Sequence, residues 1–431
     1  MKMNKRIMYA ALGGVLIVNL YLGAQIYLHS AEADSREDVY RNMETFTRVL
    51  EIVRRNYVDE SKINYDELID SALKGMLGRL DPHSEYMDAK RFQAMQSDTR
   101  GEFGGVGVVV SIRNNLLTIV AAMDDTPGAR AGLVTGDQIL KIEGKAADRL
   151  SLEEAVEQMR GKAGTKVTFT VRHPSTDEVR DVTIMRAVIK VQTVRDLAGG
   201  GNYQLLTNKI GYVRLASFGD QTSAELEAAL VKLDQMGAKA LVLDLRDNPG
   251  GLLDQSVWVS EKFLPKGQLV VSTEGRHAAD LEKHSADSKV KVREYPVTIL
   301  VNGGSASASE IVAGCLQDLK RATLVGQKTF GKGSVQSILP LQNGAALRLT
   351  TAKYYTPSHR VIHENGIMPD HVVEMTGDQM RDLMLKRSPG GLESLPEVDR
   401  KRVAAARDTQ LDKALEVLSA KLTPPAKPAT P

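Results

Sequence analysis

The stretch Val297-Thr-Ile-Leu-Val-Asn-Gly-Gly-Ser-Ala-Ser-Ala-Ser-Glu310 constrains this chain more than any other. The apolar run Val297–Val301 reads as a buried strand. Asn302-Gly303-Gly304 breaks it, and a helix-like segment, Ile311–Leu319, follows. Such a junction leaves backbone N–H groups of the helix start unpaired and aimed at one spot. Ser305, Ser307 and Ser309 crowd that spot. A serine hydroxyl placed there can act as a nucleophile, with the free N–H groups available to a developing oxyanion. Serine is also a preferred helix cap, and on this stretch alone capping is the commoner role.

A second break of the same kind lies upstream. Ala240–Leu245 reads as a buried strand and runs into Asp247-Asn248-Pro249-Gly250-Gly251. Around both breaks, strands (Lys209–Leu215, Gln268–Ser272, Leu324–Gly326, Leu347–Tyr355) alternate with helical segments (a Thr222-to-Glu225 capping-box pattern running to Met236, and Leu253–Phe263). Alternation of this kind predicts a largely parallel α/β sheet whose sites form beyond the carboxyl ends of strands. Both glycine breaks fall at such ends. A loop, Thr329–Gln336, carries Lys332 between two glycines, where the backbone can approach another segment closely.

The chain has 431 residues, enough for two or three domains. A net charge of +2 and the lack of basic runs with interleaved aromatics argue against a nucleic-acid partner. One cysteine, Cys315, in an apolar pattern excludes a disulfide framework, and the histidines have no metal-ligand spacing. We therefore expect no metal and no cofactor. Lys2, Lys5 and Arg6 precede an apolar stretch from Ile7 to Leu28, and Ala31-Glu32-Ala33 has the form of a signal-peptidase site. Residues 1–34 are thus expected to be a signal peptide or a membrane anchor that exports everything after them to the periplasm.

Residues 35–94 read as helical: Val39, Met43, Phe46, Val49, Leu50 and Val53 form one apolar stripe, and a second pattern, Tyr65–Leu80, stops at Asp81-Pro82. His83 in that turn has no partner set by spacing and reads as a turn residue. The charged region 376–422 repeats Leu411, Leu415, Leu418 and Leu422. Both amphipathic ends point to contacts between subunits and so to a homo-oligomer. The proline-rich residues 423–431 read as a disordered tail.

Phe103-Gly104-Gly105-Val106-Gly107-Val108-Val109-Val110, followed by Thr126-Pro127-Gly128 and Gly136-Asp137-Gln138-Ile139-Leu140, resembles a PDZ domain of the protease-associated kind over residues 95–187. The Phe103–Gly107 loop would take a terminal carboxylate, and the peptide would add as a strand to the sheet edge.

Taken together with Gly78-Arg-Leu-Asp-Pro-His-Ser84, Asp244-Leu-Arg-Asp-Asn-Pro-Gly-Gly251, Gly304-Ser-Ala-Ser-Ala-Ser-Glu310 and Phe330-Gly-Lys-Gly333, this segment resembles the carboxyl-terminal processing peptidases, or tail-specific proteases. The resemblance covers about residues 38–375. It implies a ClpP/crotonase-like α/β core over residues 188–375 with an inserted PDZ domain. It implies Ser307 as nucleophile, Lys332 as general base at 332 − 307 = 25 residues, and Gln336 as the group that orients the lysine. The implied oxyanion donors are the backbone N–H groups of Gly250 or Gly251 and of Ala308. It further matches Asp318 to a supporting acid, although Asp318 is equally readable as a solvated helix residue. Its substrates would be the carboxyl-terminal tails of cell-envelope proteins, in some relatives with a lipoprotein adaptor. Arg130 or Arg172 would couple the PDZ domain to the site. A non-catalytic PDZ protein on a protease-like fold is the rival reading.

Overall fold

A computed structural model describes residues 40–423 apart from 114–115, 124–125, 175, 288–290, 388–391 and 393–394. The signal or anchor segment and the proline-rich tail beyond residue 423 lie outside the described residues. No described helix is long and apolar enough to cross a membrane.

The first of two compact units ends at Leu80. Residues 40–56 form helix α1, and Tyr65–Gly78 form α2, capped by the Asn64 side chain, which accepts from the Asp66 N–H. Within this unit the Arg54 guanidinium donates to the Tyr65 hydroxyl at 3.0 Å and lies over its ring. Tyr40, Met43, Phe46, Val49 and Ile52 of α1 are exposed.

The second unit begins at Asp81. Strand β1 (Glu85–Met87) leads to α3 (Ala89–Arg100) and β2 (Glu102–Gly105). The PDZ-like module follows: β3 (Val108–Arg113), β4 (Leu116–Ala122), α4 (Pro127–Arg130), β5 (Gln138–Ile142), β6 (Lys145–Ala146), α5 (Leu152–Met159), β7 (Lys166–His173), β8 (Glu178–Met185) and β9 (Ala187–Lys190). Its antiparallel sheet runs β3-β4-β5-β7-β8 over a core that includes Ile119, Ile139, Val167 and Phe169. The β2–β9 ribbon closes the module at its base.

The remaining chain builds the α/β core from β10 (Val194–Arg195), β11 (Ile210–Leu215), α6 (Thr222–Gln235), β12 (Ala240–Asp244), α7 (Leu253–Glu261), β13 (Leu269–Gly275), β14 (Glu282–Ser285), β15 (Val297–Val301), α8 (Ala308–Asp318), β16 (Ala322–Gly326), β17 (Ser334–Pro340), β18 (Ala346–Tyr355) and β19 (His371–Val372). The main sheet runs β10-β11-β12-β15-β16-β19 and is parallel from β11 onward. Every residue of β12 and β15 is buried, as a parallel sheet covered on both faces requires. Alternate side chains divide between the two faces. Leu241, Leu243, Ile299 and Leu324 join the core under α6–α8, whereas Ala240, Val242, Leu300 and Val325 face the other way. The antiparallel second sheet, β1-β18-β13-β14 with β17 on β18, holds the Lys332 loop.

Three helices end the described chain: α9 (Gly377–Arg387), α10 (Glu397–Ala404) and α11 (Thr409–Leu422). The expectation that Leu411–Leu422 forms a contact between subunits is corrected here. Leu411, Ala414 and Leu418 are buried on this chain's own sheet, against Ile210, Tyr212, Val242 and Leu300. A parallel sheet needs a cover on its second face, and α11 is that cover. The Thr222–Glu225 capping box is also replaced. The Glu225 carboxylate accepts from Thr193 and Val194 instead, which ties α6 to β10.

A buried charge cluster locks α11 to the end of β12. Arg246 is 2% exposed and donates to both Asp244 and Asp408, the cap of α11. Gln410 and the Tyr212 hydroxyl complete the set. Burial alone would raise the Asp244 carboxyl; Arg246 outweighs it and holds the group down at about 2. Arg246→Met removes the shared cation, strips buried Asp244 of its ion-pair partner and leaves Asp408 with Arg387 alone. The expected cost is about 3–5 kcal/mol in urea unfolding; a wild-type midpoint would show that the cluster does not hold α11.

Candidate active site

The two glycine breaks meet. Asn302, at the end of β15, accepts from the Asp247 and Gly304 N–H groups at 2.9 and 3.0 Å and donates to the Asp247 carboxylate at 2.8 Å. Ser305 Oγ donates to the Leu245 carbonyl at 2.7 Å, and Ser309 Oγ donates to the Asn248 carbonyl at 2.9 Å. Both serines are fully buried. Their hydroxyls bolt the helix start to the 245–251 loop. Ser307, between them, is the partly exposed one of the three.

Ser307 sits at the start of α8 with φ 55° and ψ −115°. Positive φ strains a residue that carries a Cβ, by about 1–3 kcal/mol. Its surroundings hold it there: the Ser307 N–H donates to Glu310 Oε2 at 2.9 Å, and the Ser307 carbonyl starts the helix ladder.

Pro249-Gly250-Gly251 lies directly against this turn. A Cβ on Gly250 would stand 2.7 Å from Ser307 Cβ and 2.9 Å from the Ala308 nitrogen. The two candidate oxyanion glycines differ. The Gly250 N–H is taken by Asn248 Oδ1 at 2.9 Å. Gly251 and Ala308 N–H find no acceptor among the described residues. Of the two glycines, Gly251 is thus the available donor.

Glu310 gathers the rest. It is fully buried at the third position of α8. One carboxylate oxygen accepts from the N–H groups of Ser307 and Lys332, both at 2.9 Å; the other accepts from Thr329 Oγ1 at 2.5 Å and the Gly331 N–H at 2.8 Å. The Ser307 turn and the Lys332 loop therefore hang on one side chain. Burial raises the Glu310 carboxyl above its ordinary range, opposed but not reversed by these hydrogen bonds. In the sequence Glu310 stands only as the last letter of the Gly304–Glu310 motif. The available signal was a buried carboxylate in an apolar helix, which needs partners.

Lys332 is half-buried, and its amine is shifted down, first by burial and then by Arg348, with Asp81 opposing. No hydrogen bond joins Ser307 Oγ to Lys332 Nζ among the described residues; the backbones are brought together, while the side chains are not bonded. Gln336 donates to Ser334 Oγ at 2.9 Å and Thr350 Oγ1 at 3.3 Å, and its contact with the lysine amine is likewise not made. Thr350 leads on to Ser84, whose hydroxyl donates to Asp81 at 2.7 Å. The Asp81–Ser84 turn thus reaches the lysine neighbourhood. His83 is a turn residue, as expected, and burial and then Lys332 lower its imidazole.

Asp318 is not brought to the site. It ends α8, 318 − 307 = 11 residues and roughly 16 Å of helix from Ser307. It pairs with Arg360 and accepts from the Ser358 N–H and hydroxyl. It anchors a distant loop, which corrects the solvated reading and leaves Asp318 without a contact to Ser307 among the described residues.

In the PDZ-like module, Phe103, Gly104 and Gly105 belong to β2 and pair with β9, so they are ribbon as much as loop. Phe103 stacks under the Arg160 guanidinium, 4.7 Å from its ring centre. Val106 and Gly107 N–H find no acceptor among the described residues, and among the described strands β3 pairs only with β4, leaving one edge open. Arg172 is held inside the module by Gln138, at 2.9 Å through Nε, and the exposed Arg130 ends α4.

An α/β core with this serine turn and an inserted PDZ-like module defines a serine-type peptidase. Residues 209–373 match peptidase family S41, residues 118–173 match the PDZ domain, and residues 12–91 match the activating protease CtpB N-terminal domain. The chain is 42% identical to a carboxy-terminal-processing protease of Bartonella bacilliformis, across 100% of this chain and 99% of that one. It is 39% identical to a carboxyl-terminal-processing protease of a Synechocystis species, across 75% of each. A putative S41 protease from Bacteroides fragilis shares the fold, with a TM-score of 0.50 at 16% identity over 86% of this chain and 97% of the other. The chain belongs to the carboxy-terminal-processing proteases of peptidase family S41.

Proposed function

We propose that the protein is an exported serine endopeptidase that cleaves proteins at or near their carboxyl-terminal tails through Ser307 and Lys332. The observation that carries this reading is the shared Glu310 carboxylate, which fixes the backbones of both residues from one point. Neutral Lys332 takes the Ser307 proton as Oγ attacks the scissile carbonyl. The Gly251 and Ala308 N–H groups receive the oxyanion. The lysine ammonium returns the proton to the departing amine, and water, activated by the same amine, releases the acyl group. Gln336 orients the amine once it leaves the Ser334–Thr350 contact.

The unbonded Ser307–Lys332 pair fits a resting arrangement. A tail that adds to the open edge of β3, with its carboxylate at Val106 and Gly107, would shift the equilibrium toward the bonded one. The exposed apolar residues of α1 support a homo-oligomer, and residues 1–34 support action in the periplasm on cell-envelope proteins, soluble or anchored, with a lipoprotein adaptor as a further partner.

The test is a full-length protein incubated with a protein substrate bearing an unstructured tail and with a fluorophosphonate probe. Wild type should cleave the tail and carry the probe on Ser307; Ser307→Ala should do neither. Undiminished cleavage by Ser307→Ala would leave the binding-protein reading of the PDZ module standing.

A further inference from the structure

We propose that the Tyr354 hydroxyl is a hydrogen-bond donor to Ser307 Oγ in the reacting enzyme, a second side chain acting on the nucleophile beside Lys332. The inference rests on Ser307 being the nucleophile.

Tyr354 lies on β18 and is 2% exposed. Its backbone N–H donates to the Gly333 carbonyl at 3.0 Å, next to the lysine, and its ring packs in the same core as Ala308 and Ile311 of α8. The hydroxyl is buried and has no hydrogen-bond partner among the described residues. Leaving a buried hydroxyl unpaired is destabilising, so one near Ser307 calls for an explanation.

Two side chains lie near enough to act on it, Glu310 and Ser307. Glu310 is full: each of its oxygens already accepts two hydrogen bonds, which exhausts the lone pairs in its plane. Ser307 Oγ remains. Burial, then Glu310, push the phenol far above its ordinary range, so it stays protonated and can only lend its hydrogen. A serine oxygen has one hydrogen to give and two lone pairs. With the hydrogen directed to the lysine amine, one lone pair accepts from Tyr354 and the other faces the substrate carbonyl. The phenol thereby selects the reactive rotamer on a backbone already strained into place. It transfers no proton: its O–H bond stays intact throughout, and the serine proton goes to Lys332.

Tyr354→Phe removes the hydroxyl and keeps the ring. In the full-length protein we expect Ser307 labelling by a fluorophosphonate, and kcat on a tailed substrate, to fall about 10- to 100-fold, as loss of a hydrogen bond to a developing charge predicts. KM should stay within twofold, and the thermal midpoint should hold or rise, because an unpaired group is gone. Site-specific 3,5-difluorotyrosine at position 354, a stronger donor of nearly the same size, should label at or above the wild-type rate. Wild-type labelling by Tyr354→Phe overturns the proposal, and so does a tenfold loss with the fluorinated residue, which keeps the test open should the Phe variant misfold. A wild-type protein that carries no probe on Ser307 overturns the nucleophile assignment instead.

Discussion

Lys332→Ala is expected to lower kcat/KM on a tailed substrate by about 10⁴-fold or more, the scale seen when a serine loses its base. The reason is chemical: a serine hydroxyl hardly ionises at neutral pH without an acceptor for its proton. Lys332→Arg should be as inactive as the alanine variant, because a guanidinium does not give up its proton in the accessible range. Activity of the wild type should rise with pH through the lowered pKa of Lys332, since only the neutral amine accepts a proton.

The same shift acts on stability. Its folded pKa lies below the unfolded value of about 10.4, so the unfolded chain binds the extra proton between the two. This group therefore weakens the fold below its folded pKa, and that handicap disappears as pH rises through the window. Lys332→Met should melt higher than wild type at neutral pH while cleaving nothing. Cleavage by Lys332→Ala or Lys332→Arg within tenfold of wild type would remove the lysine from the mechanism.

Glu310→Gln is expected to lose activity at least 100-fold and to destabilise the protein at the same time. The amide nitrogen cannot accept, so two of the four buried donors lose their partner, at about 1–3 kcal/mol each and about 2–6 kcal/mol together. The choice of flip decides which loop suffers: either Ser307 and Lys332, or Thr329 and Gly331. In the first case the Ser307 turn and the Lys332 loop no longer share an anchor; in the second the lysine loop loses its two other bonds to Glu310. A displacement of an ångström at either place is enough to cost about 10²-fold in rate. Urea unfolding and steady-state hydrolysis check the two halves. A variant that unfolds earlier but cleaves at the wild-type rate would show that Glu310 holds the core and not the site.

The fold class was legible because strand–glycine–helix punctuation is local. Val297–Val301 and Ala240–Asp244 are strands as expected, and both breaks lie at their carboxyl ends. The apolar stripe of α11 was legible as a stripe, but its partner was not. Periodicity shows that a face must be covered and is silent on whether another molecule or the chain's own sheet covers it. Asp318 misled for a related reason: membership of the helix that starts at Ser307 says nothing about which end of that helix approaches the site.

Sequence by itself determined the strand and helix order and the inserted PDZ-like module. Those features are local, and short-range sterics, glycine freedom and side-chain period decide them; Ser307 and Lys332 stood out among many serines and lysines only through the resemblance of their motifs to a known family. Only the tertiary structure decided that Glu310 ties the two loops, that among the described residues the Gly250 N–H is taken and the Gly251 N–H is not, that Arg246 clamps α11, and that the buried Tyr354 hydroxyl has no partner among the described residues. Each of these depends on which buried donor meets which acceptor. Desolvation makes such pairings obligatory, but residues far apart in the chain can satisfy them, and only the packed fold selects among them.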